Sequence, residues 1–226
     1  MALTFYTNPN SRGRIVRWML EELGCDYDTV VLDYEQSSET DKWGGAALAR
    51  PSDPADRRRR FFDEVNPMGK IPAIEHDGRV VTESGAIVAY LAETFPAAGL
   101  APTAQERADY YRWMFFAAGP LEASVTLKAL GFEIPQERLR MAGCGSFGDV
   151  MGTLEKAVSA ASPYIAGKRF TAADVYVGSH IGWGLAFGSI EKRQAFVDYF
   201  GRLSERDAYK RATALDEEAA KAMQAA

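Results

Sequence analysis

The segment Asn66-Pro67-Met68-Gly69-Lys70-Ile71-Pro72 constrains the fold more than any other part of the chain. Pro72 has no backbone N–H, so a strand that it introduces lies at a sheet edge or at a break in the hydrogen-bond ladder. If the Ile71–Pro72 bond is cis, the turn leaves the backbone groups of Ile71 facing solvent. An exposed N–H and C=O pair is a docking edge for an extended peptide. The segment therefore predicts a short strand preceded by a peptide-binding backbone edge.

A second motif, Thr82-Glu83-Ser84-Gly85-Ala86-Ile87, places Ser84 twelve residues after Pro72. It predicts a helix that begins at Glu83-Ser84. Such a helix start offers a hydroxyl, free N–H groups and the positive end of the helix dipole, which together suit a carboxylate. Glu83 can accept hydrogen bonds from an ammonium group. Combined with the backbone edge at Ile71, these groups predict a receptor for a small zwitterionic peptide.

In this order, the two motifs resemble the glutathione-binding half of the cytosolic glutathione transferases, in particular the bacterial-type members with a serine-like active site. The remaining elements agree with the thioredoxin-like fold of that family: a strand over 3–6, a helix over 11–23, a strand over 29–32 and a hairpin around Asp77-Gly78. The resemblance implies glutathione as a co-substrate and no metal. It also implies the glutathione-binding residues, which are Lys70, Ile71, Pro72, Glu83 and Ser84.

The start of the first helix is where the family places the group that activates the thiol. A thiol with a pKa of roughly 8.5 is mostly protonated at neutral pH, and the thiolate is the nucleophile. Ser11 is the first candidate, because Pro9-Asn10-Ser11 resembles the Pro-Gly-Ser of serine-type transferases. A shift of the alignment by one residue would assign the role to Asn10 or Arg12, and Ser11 would then only cap the helix. Tyr6 lies inside the predicted strand, which favours a packing role.

Strand signals stop after Pro96, and Pro96–Pro102 is typical of a linker. The sequence therefore predicts an α/β plus all-α protein, with a thioredoxin-like domain over 1–96 and a helical-bundle domain over 103–226. The aromatic helix after the Thr103–Glu106 capping-box pattern supplies candidates for a hydrophobic substrate pocket, with core packing as the alternative. These candidates are Tyr110, Trp113 and Met114, with Phe116 and Trp183 as further possibilities.

The segment Gly167–Val175 contains Thr171 and Asp174 at the spacing of a capping box, ahead of an apolar run. The family has a similar signature at the start of a buried helix in its helical domain. We interpret both residues as structural, because the unpaired N–H groups of a buried helix start need an acceptor.

Composition narrows the remaining classes of function. The net charge of −5 argues against a nucleic-acid partner, and two cysteines with two histidines give no metal-binding pattern. We predict a cytoplasmic protein with no membrane partner and no N-terminal signal segment. The stretch between Tyr34 and Asn66 is longer than is usual in the family. It ends in Arg57–Arg60, which is typical of a solvated face, although an anion-attracting wall is the functional alternative.

The resemblance thus implies a homodimeric glutathione S-transferase with a role in detoxification. Such an enzyme would activate the glutathione thiolate for attack on a hydrophobic electrophile or a peroxide. Three alternatives remain on the same fold: a glutathione-dependent disulfide reductase, a non-catalytic ligand-binding protein, and an interaction module.

Overall fold

The computed structural model describes residues 2–33 and 57–225, so most of the Tyr34–Asn66 insertion lies outside the described residues. The described chain forms two compact units. The first runs to Tyr90 and resumes at Arg211, and the second is Leu91–Lys210. The domain bounds expected from sequence, 1–96 and 103–226, remain a prediction.

The first unit contains a four-stranded mixed sheet. Its strands are β1 (Leu3–Thr7), β2 (Asp28–Val31), β3 (Ala73–His76) and β4 (Arg79–Thr82), in the order β2-β1-β3-β4. β1 runs parallel to β2 and antiparallel to β3, while β3 and β4 form an antiparallel hairpin. This is the thioredoxin-like arrangement that the sequence predicted. The hairpin turn has positive φ at both central residues, Asp77 (46°) and Gly78 (77°), as a two-residue turn requires.

Three helices belong wholly or mainly to this unit: α1 (Gly13–Leu23), α2 (Arg57–Arg60, continued by a π-helical turn over Phe61–Val65) and α3 (Ser84–Thr94). The apolar face of α1 is buried against the sheet core through Ile15, Val16, Met19 and Leu20. α1 ends at Gly24, which adopts φ of 63° and donates its N–H to the Leu20 carbonyl.

The C-terminal helix α9 (Asp207–Ala225) contributes its later residues to the first unit. Arg17 of α1 donates from Nε to Asp216 Oδ1 at 2.9 Å, and both side chains are almost fully buried. Removing either partner would leave a buried charge without compensation. The pair therefore fixes the position of α9 against α1.

The second unit contains only helices in its regular structure. They are α4 (Arg107–Phe116), α5 (Glu122–Ala129), α6 (Phe147–Ala160), α7 (Ala172–Phe187) and α8 (Gln194–Ser204), with short 3₁₀ turns at Pro96–Ala98 and Gln136–Met141. A π-helical turn, Ala117–Leu121, joins α4 to α5 around Pro120. The helix is locally widened at this point, because proline cannot donate the usual backbone bond.

The predicted capping box at the start of α7 is present, with Thr171 and Asp174 in reciprocal contact. Over residues 2–33 and 57–225, none of the helices combines the length and the apolar character that crossing a bilayer requires.

Candidate functional site

The register of the sheet brings three predicted site segments to one end of the first unit. Tyr6 of β1 pairs with Ala73 of β3, and Ala73 pairs with Thr82 of β4. The loop after β1, the residues before β3 and the residues after β4 therefore leave the sheet at the same end. These are the segments that carry Ser11, Ile71–Pro72 and Glu83–Ser84.

Asn8 organises the loop that follows β1. Its Nδ2 donates to the Leu32 carbonyl at 2.9 Å, and its Oδ1 accepts from the Asn10 N–H at 2.9 Å. The side chain is 1% exposed, so both bonds are shielded from water. Asn8 thus joins the ends of β1 and β2 and fixes the path of the loop towards α1.

The Ser11 hydroxyl forms two hydrogen bonds to nearby backbone groups. It donates to the Asn8 carbonyl at 2.7 Å and accepts from the Gly13 N–H at 2.9 Å. The residue is 7% exposed. These contacts are those of a helix-start residue, and a bond from Ser11 to a ligand would have to displace the one to Asn8.

The side chains of Asn10 and Arg12 are exposed on either side of Ser11. The backbone N–H of Asn10 is held by Asn8, so the backbone at this position is fixed by a buried anchor. Of the three candidates, Asn10 combines a fixed backbone with a solvent-facing side chain that can donate.

Gly13 begins α1 where no side chain fits. A Cβ at this position would lie 1.9 Å from Thr7 Oγ1 and 3.0 Å from Ser11 Oγ. The close approach lets the first turn of α1 sit directly against the end of β1.

Tyr6 packs in the core of the first unit. Its ring contacts Phe61, with centroids 5.5 Å apart, and its hydroxyl donates to Glu75 Oε2 at 3.2 Å. Burial, with the nearby carboxylate of Glu75, raises the pKa of Tyr6. The packing role expected for Tyr6 agrees with these contacts.

The loop before β3 is held by Asn66, which is 5% exposed. Its Nδ2 donates to the Lys70 carbonyl at 2.7 Å, and its Oδ1 accepts from the Met68 N–H at 3.1 Å. Gly69 adopts φ of 63°, and a Cβ there would lie 2.0 Å from the Phe62 ring. The Asn-Pro-x-Gly pattern is therefore needed for both the turn and the close packing of the loop.

The Ile71–Pro72 peptide bond is cis. The side chain of Ile71 packs against the core cluster that contains Phe61 and Ala73. Strand pairing begins only at Ala73, so the backbone of Ile71 lies outside the ladder. The Lys70 side chain is exposed.

Glu83 and Ser84 form the start of α3. Glu83 is exposed and has φ of 67°, an uncommon value for a residue with a Cβ, and its carbonyl accepts from the Ile87 N–H at 2.9 Å. Such a conformation costs about 1–3 kcal/mol and is frequent at ligand sites. Ser84 is half-buried at the first position of the helix.

The predicted substrate-pocket residues lie on α4 in the second unit. Tyr110, Trp113 and Met114 are all at least nine-tenths buried. Within the described ranges the Tyr110 hydroxyl has no hydrogen-bond partner, and burial raises its pKa. The Arg112 guanidinium lies over the Trp113 ring, 4.4 Å from its centroid.

The end of the arginine run pairs with acids of the next turn. Arg59 lies 3.5 Å from Asp63, and Arg60 lies 2.8 Å from Glu64 and 4.0 Å from Glu75. Exposed pairs at this spacing contribute little stability, as expected of a solvated face. The anion-attracting wall stays a hypothesis.

Sequence reasoning missed Asn8 and Gly13. Asn8 stands in the loop that carries the three thiol candidates and Gly13 begins the helix that follows it, but neither has the hydroxyl or the charge that suggests chemistry. The pair Asn8-Pro9 is a common turn start, and a glycine at a helix start marks close backbone approach. These two signals were present in the sequence.

Comparisons with known proteins agree with this architecture. The family model for the glutathione S-transferase N-terminal domain matches residues 11–94. The chain is 32% identical over 80 residues to Protein LigF of a Sphingobium species, over 35% of this chain and 24% of that protein. It is 34% identical over 91 residues to maleylacetoacetate isomerase of Dictyostelium discoideum, over 40% of this chain and 42% of that protein. The chain thus spans less than half the length of these relatives.

A solved structure extends the likeness beyond the N-terminal half. A sphingomonad glutathione S-transferase complexed with glutathione has a TM-score of 0.69 and 25% identity, covering 95% of this chain and 98% of its own. The predicted resemblance is confirmed: the chain is similar to the glutathione S-transferase N-terminal domain over residues 11–94 and to solved glutathione transferase structures over nearly its full length.

Proposed function

We propose that the protein is a glutathione S-transferase that binds glutathione at the end of the sheet where β1 finishes and β3 begins. The observation that supports this most is the register row Tyr6–Ala73–Thr82, because it gathers all three predicted motifs at one end of one sheet.

In this proposal, each polar group of glutathione meets a matching group of the first unit. The backbone of Ile71, outside the ladder, pairs with the backbone of the extended tripeptide. Ser84 and the N-terminus of α3 take the γ-glutamyl carboxylate, while the exposed Glu83 takes the ammonium. Lys70 lies on the adjoining loop and approaches the glycyl carboxylate, and Pro72 holds the loop in its turn.

We assign the thiol contact to Asn10 rather than to Ser11. The Ser11 proton is donated to the Asn8 carbonyl, whereas the Asn10 amide is exposed on a fixed backbone. A hydrogen bond from Asn10, aided by the N-terminus of α1, stabilises the thiolate. Ser11 shapes the loop, and Arg12 adds positive charge nearby. Lowering the thiol pKa by about two units requires about 2.7 kcal/mol, which these interactions are able to supply.

The chemistry that follows is nucleophilic transfer of sulfur. The thiolate sulfur forms a bond to an electrophilic carbon, and the leaving group departs with the bonding electrons. With a peroxide, sulfur bonds to one oxygen, the O–O bond breaks, and the other oxygen leaves as an alcohol after taking up a proton. A second glutathione then converts the sulfenic acid to the disulfide and releases water. Tyr110, Trp113 and Met114 are proposed to line the hydrophobic side. Detoxification, a cytoplasmic location and a homodimer belong to the same proposal, and the exposed Tyr111 and Phe115 on α4 favour a protein partner.

Calorimetric titration with glutathione tests the binding step. We expect saturable binding by the parent protein, and a loss of at least about tenfold in affinity for Glu83→Gln and for Ser84→Ala, because each removes a charge-assisted bond. Ser204→Ala, at the end of α8, is the matched control and should bind as the parent does. Absence of glutathione binding by the folded parent would refute the proposal and favour the interaction-module alternative.

Turnover separates the enzymatic alternatives. The parent should conjugate glutathione to 1-chloro-2,4-dinitrobenzene. A folded protein that binds glutathione and instead turns over only a glutathione mixed disulfide would be the reductase, and one that turns over neither would be the ligand-binding protein.

A further inference from the structure

The peptide group between Pro9 and Asn10 is held by hydrogen bonds at both of its polar ends. Its N–H donates to Asn8 Oδ1 at 2.9 Å, and its carbonyl oxygen accepts from Arg14 Nε at 2.6 Å. Because a peptide group is planar, holding both its N–H and its oxygen fixes the orientation of the plane. The point from which the Asn10 side chain leaves the loop is therefore set by Asn8 and Arg14 together.

Arg14 reaches the loop because of its position in α1. It is the second residue of that helix, and side chains on a helix lean towards the helix N-terminus. Its backbone N–H donates to the Ser11 carbonyl at 3.2 Å, while its half-buried side chain extends back to Pro9. The planar guanidinium is permanently charged, and its Nε–H donates in one fixed direction. The bond to Pro9 therefore constrains direction as well as distance.

The helix that carries Arg14 is itself held by α9. Arg17, one turn further along α1, forms the buried ion pair with Asp216, and Glu21, a further turn along, accepts from Arg211 Nε at 3.2 Å. Burial raises the pKa of Asp216, and the charges of Arg17 and, less strongly, Arg14 oppose this rise. The spacing of Arg14, Arg17 and Glu21 places them on one face of α1. α9 thus supports the same face of α1 from which Arg14 reaches the loop.

We propose that Arg14 is a positioning residue for the thiol contact and acts through the Pro9–Asn10 peptide group. Its hydrogen bond holds Asn10 in the orientation in which the side-chain amide donates to the thiolate of bound glutathione. In this role Arg14 does not itself contact the sulfur. The inference rests on the proposed function, because it concerns the residue that we assign to the thiol.

The charge of Arg14 offers a competing explanation, because a cation near the sulfur would also stabilise a thiolate. Substitution by methionine or by glutamine separates the two explanations. Both side chains lack the charge and extend as far as the position of Nε, but only glutamine has an N–H donor there. The difference between Arg14→Met and Arg14→Gln therefore isolates the hydrogen bond.

The test is the ultraviolet thiolate absorbance of bound glutathione as a function of pH. Arg14→Met should raise the bound-thiol pKa by about one unit, the size of effect of one hydrogen bond, and Arg14→Gln should raise it by less than about half of that. Affinity for glutathione at pH 5, where the bound thiol keeps its proton, should stay within about twofold of the parent in both variants. Arg79→Met, at an exposed arginine at the opposite end of the sheet, is the control for lost charge and should behave as the parent.

Two further measurements test whether the effect passes through Asn10. In a double-mutant cycle, Arg14→Met should add little to the effect of Asn10→Ala on the thiol pKa, since the group that it positions is then absent. Without glutathione, the backbone N–H of Asn10 should exchange with solvent at least about fivefold faster in Arg14→Met than in Arg14→Gln. The reason is that the peptide plane is then held at one end only.

The proposal is overturned if Arg14→Met leaves the thiol pKa unchanged, if Arg14→Gln or Arg79→Met raises it as much, or if the effect of Arg14→Met persists in full in Asn10→Ala. Equal exchange rates of the Asn10 N–H in the two Arg14 variants would also overturn it. In these cases the parent still binds glutathione and lowers the pKa of its thiol, so the proposed function stands. A folded parent that binds no glutathione would instead refute both.

Discussion

The starts of α1 and α7 contain similar polar residues but use them differently. At α7, Asp174 accepts four hydrogen bonds, from the Thr171 N–H and hydroxyl, the Ile165 N–H and the Tyr199 hydroxyl. Asp174 and Thr171 are fully buried. At α1, Ser11 is used locally while Asn10 faces solvent. A polar side chain at a helix start is therefore available to a ligand only where neighbouring residues already form the hydrogen bonds that the local backbone groups need.

The two helix starts accordingly predict opposite consequences of substitution. Changes at α7 should affect folding and leave the chemistry of each folded molecule intact. Changes at the exposed position of α1 should affect chemistry and leave folding intact. Substitutions at helix starts test this contrast, and their expected effects on stability decrease from α7 to α1 to α4.

Asp174→Ala should produce the largest loss of stability. It leaves Ile165, Thr171 and Tyr199 with buried donors that have no acceptor, so we expect the free energy of unfolding to fall by about 3 kcal/mol or more. Urea denaturation measures this. The control is Asp149→Ala, since Ser146 and Asp149 form an exposed box of the same type at α6, and its loss of stability should be much smaller than that of Asp174→Ala. Equal losses at both positions would contradict the assigned role of burial.

Gly13→Ala should have a smaller but clear effect. The new Cβ would meet Thr7 Oγ1 at 1.9 Å, so the start of α1 must move away from β1, at a cost of about 1–3 kcal/mol. Gly152→Ala in α6 is the matched control, because a Cβ there would meet no atom of the described residues within 4 Å. That change should instead stabilise the protein by up to about 1 kcal/mol. Thermal unfolding of both variants is the measurement. A loss of stability in Gly13→Ala alone would show that the contact with Thr7, and not alanine in a helix as such, is the cause.

A substitution at a third helix start, that of α4, should have the smallest effect on stability. That effect should depend on pH. Glu106 accepts from Arg169 and from the Thr103 N–H, and these contacts, Arg169 first, lower the pKa of Glu106 to about 2. Because the folded pKa is depressed, the stabilisation is present above about pH 4.5 and is lost as the pH falls towards 2.

Arg169 is 41% exposed, so solvent screening limits this contribution to about 1 kcal/mol. Glu106→Gln should flatten the stability profile between pH 5 and 2 by about that amount. Urea denaturation across this range is the measurement, and an unchanged slope would show that the pair contributes nothing.

Much of the fold could be predicted from the sequence because its local signals agree with the tertiary structure. The strand positions, the Asp77-Gly78 hairpin, the helix at Ser84 and the capping box at Thr171–Asp174 all depend on neighbouring residues. Pro120 indicates where the helix is irregular, but the sequence does not indicate that the irregularity is a π-helical turn over Ala117–Leu121.

The site was less predictable, because its geometry depends on contacts between distant residues. Nothing near Asn8 in the sequence indicates that its side chain meets the Leu32 carbonyl. Likewise, the need for a glycine at position 13 arises from Thr7 across the strand–helix turn. The hydroxyl of Ser11 is a plausible donor by its chemistry, yet only the structure reveals that its proton is already donated to Asn8.

The most direct test of the account is the ultraviolet thiolate absorbance of bound glutathione as a function of pH, for the parent, Asn10→Ala and Ser11→Ala. We predict a bound-thiol pKa well below the roughly 8.5 of an ordinary thiol, returned towards that value by Asn10→Ala. Ser11→Ala should leave the thiol pKa low and instead destabilise the fold by about 1 kcal/mol. A thiol pKa restored by Ser11→Ala and unaffected by Asn10→Ala would contradict the assignment.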